Sequence, residues 1–172
     1  LKKAIDSLGA EHVQYDAISY HALREAQSGL FGVNAVPSYD FSKAEVIVSI
    51  AGDFLNNWLT NTKIEAEYSE LRRPERGTQS KHYQFESAMT MTGTNADVRT
   101  PINPSDEGNV AAGLLAAIKG SSIANLDEGV AARVQAAAKS LNGARGNSIV
   151  IKGNQQTNEL VKKAIEFFRA NS

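Results

Sequence analysis

The stretch YDFSKAEVIVSIAGDFLNNW, Tyr39 to Trp58, decides how the rest of the chain is read. Its centre, AEVIVSIA (44–51), is almost continuously apolar and rich in β-branched residues. That composition suits a central parallel strand, which is covered on both faces and has no side for water. The run stops at Gly52-Asp53, and helix-compatible sequence follows in FLNNW. In an open α/β sheet, such a strand-to-helix corner is where ligands usually sit.

Working outward, short strands alternate with longer helices. Toward the N-terminus, residues 1–8 read as the end of a helix with Ala4, Ile5 and Leu8 on one face. HVQYDA (12–17) reads as a strand with Val13 and Tyr15 alternating against polar neighbours. Ser19 caps a helix to about Ser28, with Gly29 and Gly32 as stop signals. Toward the C-terminus, a helix is predicted from Trp58 to Leu71 and a strand in HYQFES (82–87). Residues 88–108 read as a long loop with a short strand near Val98–Ile102. Ser105 is the expected N-cap of a helix from Asp106 to Lys119, whose first-turn Asp106 and Glu107 complement the helix dipole. A second helix follows over Asp127–Leu141, then the strand NSIVIKG (147–153) and an amphipathic helix from Thr157 to Ala170. The alternation implies an α/β fold with a doubly wound, mainly parallel sheet and helices on both faces. The two consecutive helices between 106 and 141 break it, and read as an insertion or a crossover to the far edge of the sheet.

Composition narrows the function classes. The 172 residues suit a single domain over 1–172, and the net charge of −1 gives no basic surplus for nucleic acid. No run approaches the roughly eighteen apolar residues of a membrane span. Cysteine is absent, which removes thiolate chemistry and cysteine-ligated clusters from this segment. The chain opens on LKKAIDSLG, a helix pattern without a cap, and is read as a piece of a larger subunit.

Searching for chemistry gives little. The dinucleotide, P-loop and nucleophile-elbow motifs do not occur. His12, His21 and His82 lack the spacing of a helical metal pair, and His12 and His82 open strands at the edge opposite the usual ligand edge. Asp16, Asp53 and Glu86 stand near carboxyl ends of strands and could converge on one crevice as acceptors for a ribose or a guanine edge; capping and turn formation is the more ordinary use of Asp53. GTNADVRTP (93–101) reads as a solvated turn, and ELRRPER (70–76) as a solvated helix end. No catalytic set is evident.

Whole phrases carry more. PSYDFSKAEVIVSIAGDFLNNWL (37–59) resembles the YDF-x-x-A-D-x-I segment of molybdopterin oxidoreductases. YQFESAMTMTGTNADVRTPINPSDEGNVAAGLL (83–115) resembles a later block of that family, DPR-x-T-x-T-A-x-x-A-D followed by I-x-P-G-T-D-x-A-L, and the C-terminal 26 residues resemble the strand and helix that finish the same Rossmann-like region. KHYQFESAMTMTGTNADVRTPINPSDEG (81–108) is most similar to the large subunit of bacterial alternative complex III, a quinol-oxidising membrane assembly. The resemblance runs from about Asp16 onward. It implies a Rossmann-like domain of the formate dehydrogenase/DMSO reductase type, within an oxidoreductase subunit whose iron–sulfur clusters lie elsewhere in the parent chain. It also implies other subunits of a membrane-bound respiratory complex as partners, and a position on the periplasmic face of the inner membrane.

The departures from the family pattern shape the expectation. Glu86-Ser87-Ala88 stands where the family has DPR, Pro104-Ser105-Asp106-Glu107 where it has PGTD, and AGDF (51–54) where it has G-x-N-P. Each weakens a contact that the molybdopterin guanine dinucleotide bound by the family would need. The resemblance therefore implies a cofactor-less, structural domain in which Gly52, Asp53, Glu86, Gly93, Thr94, Asn95 and Asp97 are the vestige of the dinucleotide crevice. Two other readings stand beside it: the same residues line a crevice that still holds the dinucleotide in a working molybdoenzyme, or the chain is an unrelated module for a small nucleotide.

Overall fold

A computed structural model describes residues 20–153, together with residue 5 and residues 7–11. Most of the helix expected over 1–8, the strand at 12–17 with His12 and Asp16, and the helix from Thr157 lie outside the described residues. The strands are β1 (Val46–Ile50), β2 (Lys81–Glu86), β3 (Val98–Pro101) and β4 (Ser148–Lys152). The α-helices are α1 (His21–Phe31), α2 (Asn61–Leu71), α3 (Met91–Thr94), α4 (Glu107–Ile118) and α5 (Glu128–Gly143). Short 3₁₀ turns occupy Pro74–Arg76 and Pro104–Asp106.

Among the described residues, these four strands form one all-parallel sheet in the order β3-β2-β1-β4. All five residues of β1 are buried, as its sequence requires of a central strand. Alternation sends Val46, Val48 and Ile50 to one face, where they meet Tyr83 and Phe85 of β2 and the helices α4 and α5. Ile47 goes to the other face, with Phe41, Phe54, Trp58 and the α2 residues Ile64, Tyr68 and Leu71. The sheet is thus doubly wound: β1 to β2 crosses by α2 on one face, and β3 to β4 by α4 and α5 on the other. The consecutive helices that broke the alternation are this long crossover, which carries the chain from one edge strand of the described sheet to the other.

Several local expectations shift. No helix starts at the β1 corner; α2 begins at Asn61. The Leu55 N–H, which would enter a helix, instead donates to Thr92 Oγ1 at 2.9 Å, and Leu59 has a φ of 48°. Trp58 is buried in the apolar cluster, so packing overrides the local helical pattern. Ser105 does not cap α4; it sits exposed in the 3₁₀ turn, and Asp106 takes the cap position without a side-chain bond. Gly32, with a φ of 69°, ends α1 in the left-handed conformation, whereas Gly29 is inside the helix. The segment 88–108 contains the short helix α3 as well as the expected strand.

Candidate functional site

At the corner after β1, Ala51 has a φ of 54°, a left-handed conformation that is unfavourable for a residue with a Cβ. The sheet holds it there: Ala51 N–H donates to Phe85 O at 2.8 Å, and Gly153 N–H to Ile50 O at 2.9 Å. A Cβ on Gly153 would lie 2.0 Å from the Ala51 carbonyl oxygen, so the end of β4 needs glycine for the two segments to meet. Gly52 is also pressed, with Ile151 Cγ2 and Ser49 Oγ each 2.9 Å from where its Cβ would be. Its carbonyl oxygen accepts from Ser49 Oγ at 3.0 Å and from Gln84 Nε2 at 3.3 Å.

Strand β2 turns His82, Gln84 and Glu86 to the α2 face, all fully or nearly fully buried. They form a polar ladder at the period of two that a strand imposes. Gln84 Nε2 faces two pure acceptors, Gly52 O and Glu86 Oε2 (3.1 Å), which orients the amide and leaves Oε1 toward His82. His82 Nε2 therefore donates to Gln84 Oε1 at 3.3 Å, and Nδ1 of the neutral ring accepts. The Tyr68 hydroxyl lies 3.1 Å from that Nδ1 and 2.9 Å from Asn95 O, so one proton serves two acceptors. Burial lowers the His82 pKa to about 4, against the opposing pull of the Gln84 hydrogen bond, and raises that of Tyr68 to about 12.

Among the described residues, Glu86 is the most heavily bonded carboxylate. It accepts from Thr90 Oγ1 (2.6 Å), Thr90 N–H (3.3 Å), Arg99 Nε (2.5 Å) and Gln84 Nε2. Burial pushes its pKa up, but these donors outweigh burial and hold the carboxyl below its ordinary range. Gly93 packs against it so closely that a Cβ would lie 1.8 Å from Glu86 Oε1. Asp53 accepts from Thr92 Oγ1 at 2.8 Å and Thr92 N–H at 3.2 Å. The two carboxylates thus clamp the start of α3 between them, with Thr90 also capping the Gly93 N–H at 3.0 Å.

Gly52, Asp53, Glu86 and Gly93 do come together at the carboxyl ends of β1 and β2. Thr94 is exposed and bonds back to Met91 O. Asn95 and Asp97 belong elsewhere. Asp97 sits beside His82, accepting its N–H at 2.7 Å, and His82 is four residues or about 13 Å along the strand from Glu86. There Asp97 makes a two-pronged pair with Arg72, at 2.8 and 2.7 Å. The end of α2 and the turn after it, 70–76, are mostly exposed, as expected, except for Leu71 and for Arg72 in this pair; 93–101 is no plain solvated turn, since Gly93 and Thr100 are buried and Val98–Pro101 form β3. Sequence reasoning missed Tyr68, Arg72, Gln84 and Thr92. The H-Q-E alternation through HYQFE was the one visible signal that β2 turns polar groups to one face.

An open cleft of about 580 Å³ runs between α2 and α3. Asn61, Glu65, Tyr68 and Ser69 line it from α2 and Arg72 from its C-cap, with Leu55 and Asn56 at one wall and Met91 and Asn95 at the other. Of the seven residues expected at the site, Asn95 alone is among its lining. No three His, Asp or Glu side chains stand together as metal ligands among the described residues. None of the described helices is long and apolar enough to cross a membrane. Neither a protein-family model nor a curated protein matches the chain.

Proposed function

We propose that this domain is architectural: a molybdopterin-oxidoreductase-like α/β domain without its dinucleotide, serving as a structural part of a quinol-oxidising, iron–sulfur electron-transfer complex of the bacterial periplasmic membrane face. The observation that supports this reading is how the Glu86 carboxylate is used. It occupies the space over Gly93 and takes four hydrogen bonds from the protein itself. A guanosine seated there would have to displace a buried ion pair with Arg99 and leave its members unpaired, which costs several kcal/mol. Asp53 is spent in the same way on Thr92. Corner, ladder and clamp then act as a staple that joins β1, β2 and α3.

The test is elemental and pterin analysis of the purified parent complex. No molybdenum and no pterin are expected, and a stoichiometric amount of either sinks the proposal. The open cleft beside Asn95 favours a second reading, in which a nucleotide still binds but outside the clamp. Guanosine monophosphate added to the labelled domain distinguishes the two: shifts confined to residues 91–95 and α2 support the second reading, and none support the first.

A further inference from the structure

Both methionines of the chain, Met89 and Met91, stand in solvent, with exposures of 67% and 57%. Methionine is ordinarily a core residue, so two thioethers side by side in water call for a reason. They flank Thr90, whose backbone is extended, with φ −100° and ψ 173°. Thr90 is pinned at three points. Its hydroxyl donates to Glu86 Oε2 at 2.6 Å, its N–H donates to Glu86 Oε1 at 3.3 Å, and its hydroxyl oxygen accepts the Gly93 N–H at 3.0 Å. Extended backbone sends alternate side chains to opposite sides. Thr90 turns inward onto the carboxylate, and its two neighbours turn outward together, which is why both are exposed. Two residues of strand rise set their Cα atoms about 6.6 Å apart.

We propose that Met89 and Met91 form a two-sulfur site for a soft monovalent cation of the copper(I) class. Thioether sulfur is a soft, neutral ligand that selects copper(I), whereas magnesium, calcium and manganese take oxygen ligands. With metal–sulfur bonds of roughly 2.3 Å, a two-coordinate linear ion holds its sulfurs about 4.6 Å apart. Three rotatable bonds in each side chain close the difference from the Cα spacing. The backbone between the two residues is fixed before the ion arrives, so binding costs side-chain rotation and no ordering of the turn. Arg99, which reaches the same carboxylate as Thr90, is paired with it and adds no net charge against a cation. No group of three His, Asp or Glu side chains competes for the ion among the described residues. The site stands apart from the architectural role, and holds whether or not a dinucleotide binds.

Silver(I), which shares the charge and softness of copper(I) and does not change oxidation state in solution, is the probe. The full chain carries two methionines, so labelling their methyl groups gives two signals to follow. Silver nitrate titrated in chloride-free buffer should move both signals along one curve, with a midpoint at about 0.1 mM or below. Zinc at the same concentrations should move neither. Met89→Leu keeps the size and apolar character of an exposed residue, so folding is not at issue. It should weaken the response of Met91 at least about tenfold, through loss of the second sulfur, and Met91→Leu should do the same to Met89. Two signals that move at separate midpoints overturn the proposal, because each sulfur would then bind alone. So does a Met91 response that Met89→Leu leaves unchanged, a zinc response equal to that of silver, or no saturation below about 1 mM silver.

Discussion

The two faces of the sheet are built from the same strands and stabilised differently. On the α4/α5 side, Val46, Val48, Ile50, Tyr83 and Phe85 meet Val110, Leu114, Val134 and Ala137 in an apolar layer. On the α2/α3 side, β1 contributes Ile47 and Ser49, and β2 contributes His82, Gln84 and Glu86. The first layer is non-directional and tolerates small rearrangements. The second depends on hydrogen bonds that must all be made, since a buried polar group without a partner costs more than the bond contributed. The polar ladder runs toward the strand ends at which a doubly wound sheet presents its loops, and it joins three segments that are distant in sequence.

The largest effects should come from removing one anchor of each face. Glu86→Ala is expected to cost about 3–5 kcal/mol, because Arg99, Gln84 and Thr90 lose a buried charge partner. Leu114→Ala should cost about 2–5 kcal/mol through its cavity. Denaturant unfolding measures both. The faces part in a cycle: Glu86→Gln with Arg99→Met should cost less than the sum of the two single changes, whereas Leu114→Ala and Glu86→Gln should simply add.

Next comes pH. The His82 pKa is depressed, from 6.5 to about 4 in the folded protein. Between those values the unfolded chain binds the extra proton, so stability is full above about pH 6.5 and falls by about 3 kcal/mol on the way to pH 4. Glu86 and Asp97 are also depressed, burial being outweighed by their donors, so their contribution is present above the unfolded carboxyl range and is lost below it. His82→Gln should flatten the urea midpoint between about pH 4 and 6.5 and leave the more acidic loss in place. An unchanged slope in that window would show that the ladder does not exclude the imidazolium.

Glycine substitutions are smaller and sharper. Gly93→Ala places a methyl into the Glu86 carboxylate and should cost about 2–3 kcal/mol. Gly113→Ala, on the apolar face, puts its methyl 3.0 Å from Ile123 Cγ2, where a side chain can yield, and the gain in helix propensity offsets the crowding to within about 1 kcal/mol. Smallest of all, Arg73→Ala removes an exposed pair with Glu70 and should change thermal stability by less than about 0.5 kcal/mol.

Much of the apolar face was legible in the sequence. The β-branched run of β1, the strand at HYQFE and the two helices between 106 and 141 are periodic signals, and their burial follows from the period. The polar face was legible in part. Glu86, Asp53 and Gly93 could be named as neighbours of a crevice, since strand ends meet in a parallel sheet. What Glu86 binds could not be read, because Thr90 reaches it only through the turn into α3, and Arg99 only once β3 lies beside β2. The phrase groups Asp97 with Glu86, but the strand direction carries it to the opposite end, beside His82.

By itself, then, the order of residues determined the kinds of element, the doubly wound parallel sheet and which strand is central, because hydrophobic periodicity is a local property. Register, partner choice and the use of each polar group were decided only in the folded molecule. A carboxylate bonds to whatever donor the packing brings within about 3 Å, and that depends on segments 13 to 39 residues away, as with Arg99 for Glu86 and Thr92 for Asp53. The corner at Gly52-Asp53 is the plainest case. Its letters announce a turn after a buried strand. Only the tertiary structure shows that its carbonyl and carboxylate are already engaged, by Ser49, Gln84 and Thr92.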